Sequence, residues 1–524
     1  MRTANLRSLL LVAAAYALTV SFAGCDSATK IVYRDRAPFN PPPDAASGFL
    51  GYYDASVKQT TCGNCHSSYQ AKWKTTKHAG AYASLVANPG AQASCYGCHT
   101  VNGNGNAASG TTVAYAKVAD SAYFDVQCES CHGAGLTHVE GVGQGTVVRP
   151  LAKLAAGGAG TCADCHTGSH NPFAEEWAQS GHAIVNASRA GNASCKSCHD
   201  GRGALAAWGV EANYQERDVA TAYQPTTCAV CHNPHGSSNE HQLRFAVSTQ
   251  DPEQNLCMKC HLRRYEPELT GYGTASPHAP QGAMLLGFAG WRPPGFVYDT
   301  ARIFGSHATT ANPKLCAGCH VGRFTVNDPL TGSFTFQATG HLFRPIPCLD
   351  PTGKPTADKT CAYTSTARSW QTCAASGCHA SAAVAANAFG TVRARMKFYA
   401  DQLWIDTNGS GSMQASPTDA GLLPLVRSTQ PTEWSGTDNR VSPAEGAEFN
   451  ARLCGEFGQG NSDNSKGIHN PFLCESLLIA TINYIQSFYG VSVPLRDGQP
   501  AVLAGPIGGE FNRSMHVSRT PPGK

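Results

Sequence analysis

Cys128-Glu-Ser-Cys131-His132 is one of eight places in this chain where two cysteines three residues apart are followed at once by a histidine. The others are Cys62-Gly-Asn-Cys65-His66, Cys95-Tyr-Gly-Cys98-His99, Cys162-Ala-Asp-Cys165-His166, Cys195-Lys-Ser-Cys198-His199, Cys228-Ala-Val-Cys231-His232, Cys257-Met-Lys-Cys260-His261 and Cys316-Ala-Gly-Cys319-His320. Cysteines three apart on one helical turn face the same way. Two thiols so placed can add to the two vinyl groups of one porphyrin, and the adjacent imidazole then reaches the iron, which is c-type haem attachment. Other uses of the cysteines do not account for the histidine. Structural zinc needs two such pairs closed on one ion. A thioredoxin-like redox motif uses one pair, and disulfides need no adjacent histidine.

The first six motifs begin at residues 62, 95, 128, 162, 195 and 228, so three motifs recur with a period of 100 residues. The flanks repeat as well. Trp73 is followed five residues later by His78-Ala79, and Trp177 five residues later by His182-Ala183. This is the pattern of an internal duplication of a three-motif module, 62–161 and 162–261. A ninth site has four residues between its cysteines, Cys373-Ala-Ala-Ser-Gly-Cys378-His379. It resembles the widened haem motifs of small multihaem cytochromes from sulfate reducers, which implies nine haems c in a domain spanning 58–380.

Nine motif histidines leave eleven of the 20: His78, His138, His170, His182, His235, His241, His278, His307, His341, His469 and His516. Nine irons closed by a second imidazole need nine of them, so supply exceeds demand. The repeated tryptophan–histidine spacing singles out His78 and His182, and His307-Ala308 precedes the motif at Cys316 in the same manner. His138, His235 and His241 follow their motifs closely; His170 lies four residues after His166, His278 in a Pro/Gly loop and His516 in the tail. With only 6 Met in the chain, Met ligation is not general. Met/His ligation raises haem potentials, so paired imidazoles imply low ones.

Around this region the composition is consistent with a cofactor-built interior. Charged residues are 14 %, with Gly 54 and Pro 31, and the net charge of +3 comes without a basic block, which excludes nucleic acid as a partner. Arg2 and Arg7 precede the short apolar run Leu9 to Val20, which reads as a signal peptide over 1–24. It ends in Phe22-Ala23-Gly24-Cys25, which resembles the bacterial lipobox and implies acylation of Cys25 and a membrane anchor. A Pro-rich tether over 25–57 follows. Cys348, Cys361, Cys454 and Cys474 lack an adjacent histidine and are expected in disulfides of an oxidising compartment, read as Cys348 with Cys361 and Cys454 with Cys474 among the three pairings that four cysteines allow.

The expected fold is mostly α-helix and irregular loop, with a haem-stack core and little or no sheet. A helical segment over 381–490 would close that stack, ahead of a tail over 491–524. One helix is expected over 381–404, broken near Gly390. A second starts at Asn470 (N-cap), Pro471 (N1) and Glu475 (first turn), with Leu473, Leu477, Leu478, Ile482 and Ile485 at helical spacing. Ser465-Lys-Gly-Ile-His469-Asn-Pro resembles the Gly-x-His-Asn segment of pentahaem nitrite reductases and their octahaem relatives, where that histidine is a distal ligand.

The motif region as a whole resembles the exported multihaem cytochromes of metal-respiring bacteria, including lipid-anchored and filament-forming outer-surface types. Cys231-His232-Asn233-Pro234-His235-Gly236, Gln242-Leu243-Arg244 and Asn255-Leu256-Cys257 carry that resemblance further. It implies an outer-membrane lipoprotein, cell-surface or extracellular electron carrier with no catalytic residue. Its partners would be periplasmic or porin-linked cytochromes, external acceptors and further copies in a homopolymer. The alternative is an octahaem-type reductase acting on nitrite, hydroxylamine or tetrathionate at one open iron. Cys128-Glu-Ser-Cys131-His132-Gly133-Ala-Gly135 with His138 resembles segments of that superfamily, but no Cys-x-x-Cys-Lys motif is present. The histidine supply favours the carrier.

Overall fold

The computed structural model describes residues 39–493, apart from 108–109, 143, 146, 151, 153–159, 211–222, 270–275, 297–305, 310, 376–377, 436–437 and 458–461. The expected signal peptide, Cys25, residues 25–38 of the tether, the tail beyond 493 and His516 lie outside the described residues, and the tether expectation needs correction at its C-terminal end, where Phe49, Leu50 and Tyr52 are buried in the fold. The chain divides into two compact units at Asn40/Pro41, and the fold below is that of the second.

Helix and loop dominate, as the fold class requires. Among the described residues the strands form three two-stranded antiparallel pairs: β1 (Tyr52–Asp54) with β2 (Gln59–Thr60), β3 (Phe324–Asn327) with β4 (Phe334–Ala338), and β5 (Cys348–Leu349) with β6 (Pro355–Thr356). The β3–β4 register pairs Phe324 with Ala338 and Val326 with Phe336. Helices in the motif region are short, such as α1 (Ser67–Trp73), α2 (Phe173–Ala178) and α3 (Gln281–Leu286). No described helix is long and apolar enough to cross a membrane.

Long helices begin only at α4 (Ala382–Leu403), followed by α5 (Leu422–Thr429), α6 (Pro443–Cys454) and α7 (Pro471–Tyr489). They hold the largest apolar core, built on Met396, Leu403, Trp404, Leu422, Phe449 and Leu477 and reaching back to Met284 on α3. The other apolar clusters comprise three to five buried residues each. Apolar side chains of the motif region therefore do not form one continuous core.

Three local readings need correction. α4 runs unbroken through Gly390; a helical glycine costs only about 1 kcal/mol, and Phe389 and Met396, both buried, hold the helix on either side. Glu475 lies past the first turn of α7 and forms a buried ion pair with Arg395 of α4, Nε to Oε1 2.9 Å. The N-cap itself is Asn470, whose Oδ1 accepts the Leu473 N–H at 3.0 Å. Cys454 and Cys474 are not bonded to each other. They are buried thiols on packed helices α6 and α7, held at hydrogen-bond rather than covalent separation. Cys348 and Cys361 do form a disulfide.

Candidate functional site

At six motifs the turn is closed by the same bond. The histidine N–H donates to the carbonyl of the first cysteine: His66 to Cys62 at 2.9 Å, His166 to Cys162 at 2.8 Å, His199 to Cys195 at 3.0 Å, His232 to Cys228 at 2.9 Å and His261 to Cys257 at 2.9 Å. At the widened motif His379 N–H still donates to the Cys373 carbonyl at 3.0 Å. Two extra residues leave the closing bond in place.

The imidazoles then meet in pairs across the fold. His66 faces His138 with ring centres 6.4 Å apart, His78 faces His166 at 6.2 Å, and His132 faces His235 at 6.1 Å. His182 faces His261 at 6.2 Å, His199 faces His278 at 6.1 Å, His232 faces His341 at 6.4 Å, and His320 faces His469 at 6.2 Å. An imidazole nitrogen sits about 2 Å from a transition metal and about 1.2 Å from its ring centre, so two imidazoles on opposite sides of one metal have centres roughly 6.3 Å apart. Every pair joins one motif histidine to one histidine outside the motifs, so each pair fits the two faces of one haem iron. His278, which carried no local signal beyond its Pro/Gly loop, belongs to this set.

Burial suits these rings to ligation. It pushes His78, His182, His235, His320 and His341 down to about 4, with the facing imidazole adding to the effect in each case. Such rings are neutral at pH 7 and keep a lone pair for metal. Several are aimed by their other nitrogen. Nδ1–H donates to a carbonyl from His132 (Pro150, 2.8 Å), His138 (Val148, 2.8 Å), His232 (His241, 2.7 Å) and His320 (Phe343, 3.1 Å).

The repeated tryptophan–histidine spacing has a structural reason. Trp73 Nε1–H donates to the Val126 carbonyl at 2.9 Å, and Val126 N–H returns to the His78 carbonyl at 3.1 Å. Trp177 Nε1–H donates to the Thr226 carbonyl at 2.8 Å, and Thr226 N–H to the His182 carbonyl at 3.1 Å. In both halves the clamp grips the chain two residues before a motif.

Three predicted ligands among the described residues stand apart from the seven pairs. His307 donates from Nδ1 to the Ile468 carbonyl at 2.8 Å and lies within electrostatic reach of His379. His170 is exposed and stacks on Phe334 at 4.4 Å. His241 is exposed, and its carbonyl accepts from His232. Among the described residues no imidazole faces the motif residue His99 as in the seven pairs; its Nδ1–H donates to the Ala81 carbonyl at 2.9 Å.

The cysteine sulfurs show which motifs adjoin. Hydrogen-bond contacts link Cys62 with Cys128, Cys98 with Cys165, Cys162 with Cys228, Cys198 with Cys260, and Cys257 with Cys316. Electrostatic reach links Cys131 with Cys162, Cys231 with Cys260, and Cys319 with Cys373. Numbered in chain order, the motifs form a line 1-3-4-6-7-8-9, with motif 2 beside motif 4 and motif 5 beside motif 7. A continuous cavity of about 3660 Å³ reaches cysteines of motifs 2 to 9. That is several times the roughly 300–1,000 Å³ of a small-molecule site, room suited to several porphyrins.

Residues that hold the array escaped sequence reasoning. Buried Glu176 accepts the His341 N–H at 2.7 Å and the Thr339 N–H at 2.9 Å. Asp463 accepts from His469 Nδ1 at 2.7 Å. Glu129, inside a motif, accepts backbone N–H groups of Leu50, Gly51 and Gly135 at 2.7–2.9 Å. Only Glu129 carried a signal, being an acid between two cysteines that must be buried.

Three family models match parts of the chain: cytochrome c554 and c-prime over residues 61–133, cytochrome c7 and related cytochrome c over 147–233, and a doubled CXXCH motif over 221–264. The C-type polyheme cytochrome OmcB of Geobacter sulfurreducens, in each of two strains, is 28 % identical over 197 residues, covering 32 % of this chain and 24 % of that protein. The chain thus spans about a quarter of the length of these relatives. No solved structure matches it.

Proposed function

The chain is a multihaem c-type cytochrome, and we propose that it works as an exported electron conduit carrying nine haems c. Each of the eight Cys-x-x-Cys-His motifs, and the widened one at Cys373, Cys378 and His379, would hold one haem. Seven would take their second imidazole from the facing partners, and the ninth from His307. Bound haem supplies a one-electron iron couple. The chain sets the order of the sites, closes them with imidazole and excludes water. Two neutral imidazoles place the couples at low potential. The likeness to the polyheme cytochrome OmcB supports the many-haem reading, and the signal-like run ahead of Cys25 supports export. The lipobox-like Cys25 supports a lipid anchor, and redox partners at both ends of the line would be other cytochromes or external acceptors. Assembly into filaments would extend the line between copies.

The observation that carries this reading is the set of seven imidazole pairs at one spacing, 6.1–6.4 Å. Intact mass of the mature protein tests the count, which should exceed the polypeptide and any lipid by nine haems. Electron paramagnetic resonance of the oxidised protein tests the closure, with low-spin signals for the paired sites. A predominantly high-spin spectrum would overturn it.

One observation favours a second reading, with a small-molecule reaction at a single iron. His99 has no facing imidazole among the described residues, and His516 lies outside them. If the site at Cys95 and Cys98 keeps an exchangeable position, a single high-spin signal persists and is shifted by cyanide. If His516 closes it, that signal is missing and emerges in His516→Ala.

A further inference from the structure

The paired imidazole of His469 donates to a carboxylate, whereas those of His132, His138, His232 and His320 donate to carbonyl oxygens. His469 Nδ1 lies 2.7 Å from Asp463 Oδ1. The Asp463 side chain is 1 % exposed, and no lysine or arginine among the described residues pairs with it. Its other oxygen accepts from the Ser465 hydroxyl, whose oxygen in turn takes the His469 N–H at 3.1 Å. The carbonyl of Leu453 receives the Asp463 N–H at 3.2 Å, tying the loop to α6. The carboxylate is therefore fixed, buried and directed at one ring nitrogen. The opposite ring, His320, donates to the Phe343 carbonyl, a weaker acceptor without net charge.

We propose that Asp463 makes the site of Cys316, Cys319, His320 and His469 a low-potential step in the line, between the sites of motifs 7 and 9. This rests on the reading that His320 and His469 ligate one iron. A carboxylate drawing on the Nδ1–H raises the basicity of Nε2, and a more basic ligand stabilises the oxidised metal. A buried negative charge acts in the same direction, because reduction removes one positive charge from the site it faces. The balance is simple. One electron arrives from an adjoining site, no bond is made or broken, and the Nδ1 proton stays in the His469–Asp463 bond. The same loop offers the Ile468 carbonyl to His307, an uncharged acceptor, so the two neighbouring sites are tuned differently by residues five apart. Electrons crossing this step in either direction would meet it as a rise, which sets the rate of passage at this end.

Asp463→Asn in the holoprotein keeps an oxygen facing His469 and removes the charge. One midpoint in a potentiometric titration moves positive while the others hold, and haem content and the low-spin spectrum are retained. A role confined to anchoring the loop would leave every midpoint in place or disturb several at once, and either result overturns the proposal. His469→Ala separates the proposal from the reading beneath it. If that variant gains one high-spin signal, the pair does ligate one iron, and an unmoved midpoint in Asp463→Asn then counts against Asp463 alone. Without that signal the pairing itself fails.

Discussion

The two halves of the duplication share their clamps and differ in what they grip outside themselves. In each, a tryptophan and a histidine carbonyl hold the strand before a motif, and the sulfur contacts repeat: Cys62–Cys128 with Cys162–Cys228, and Cys98–Cys165 with Cys198–Cys260. Each half also has a buried acid that holds a distant segment, at a position where the other half carries no acid. In the first half it is Glu129, inside a motif, holding Leu50, Gly51 and Gly135; the matching position in the second half is Ala229. In the second half it is Glu176, beside Trp177, holding Thr339 and His341; the matching position in the first is Lys72. Spacing between attachment sites is therefore a property of the repeat. Closure of the outer faces is a property of whatever chain lies next to each copy. The first copy is covered by the segment that precedes it, and the second by the segment that follows, which places His278 opposite His199 and His341 opposite His232.

The largest effect expected from this comparison separates line from spur. Cys228→Ala/Cys231→Ala removes an in-line site, and Cys195→Ala/Cys198→Ala a spur; each should cost one haem by mass. Conductance of the holoprotein held between electrodes should fall roughly tenfold or more in the first, since about 1.4 kcal/mol of added barrier suffices for that. It should stay within about twofold in the second, well under 1 kcal/mol on the same scale. Equal losses would abolish the distinction between line and spur.

How much of this was legible in the sequence follows from what each feature depends on. Attachment is local, since five consecutive residues make one turn and its chemistry, so the motifs and the duplication could be read directly. The clamps were visible as a spacing without a reason, because Trp73 and Val126 come together only when the module folds. Pairing of imidazoles was not legible: His320 and His469 are joined by the path of the intervening chain, and no local signal distinguishes His278 from His170. Helix α6 carries a capping box of Ser442 and Glu445 with Pro443 at N1, but Glu448, Asn450 and Arg452 are buried along it and interrupt the apolar period by which a buried helix is read. Cys454 and Cys474 were legible as neighbours but not as thiols, since pairing distance is set by how α6 packs on α7.

A smaller effect tests the acid of the first copy. Burial raises Glu129 to about 6 from its ordinary 4.5, while its backbone N–H partners oppose the rise. The folded state therefore holds the proton more tightly than the unfolded chain. That contribution to stability is complete below pH 4.5 and is lost as pH rises through about 6, amounting to about 2 kcal/mol. Glu129→Gln should be less stable by about 1–3 kcal/mol at low pH, because the amide turns a donor toward backbone donors. The gap should narrow by about 2 kcal/mol from about pH 3.5 to about pH 7 in denaturant titrations. A gap that stays constant with pH would mean that Glu129 does not titrate with folding.

The smallest effect is the most direct test that the copies are equivalent. Trp73 and Trp177 are 6 % and 5 % exposed, and each makes one indole hydrogen bond to a carbonyl, at 2.9 and 2.8 Å. Phenylalanine at either position keeps most of the ring and removes the donor. Each variant should lose about 0.5–1.5 kcal/mol from the bond, plus a packing loss from the smaller ring. The two losses should agree within about 0.5 kcal/mol, and the double variant should be their sum, since sites with no shared partner add to that precision. A larger loss at Trp177 would show that the clamp is coupled to Glu176, its neighbour on α2, and through it to His341. The second copy would then be held from downstream, and the equivalence of the clamps would be one of geometry without equality of energy.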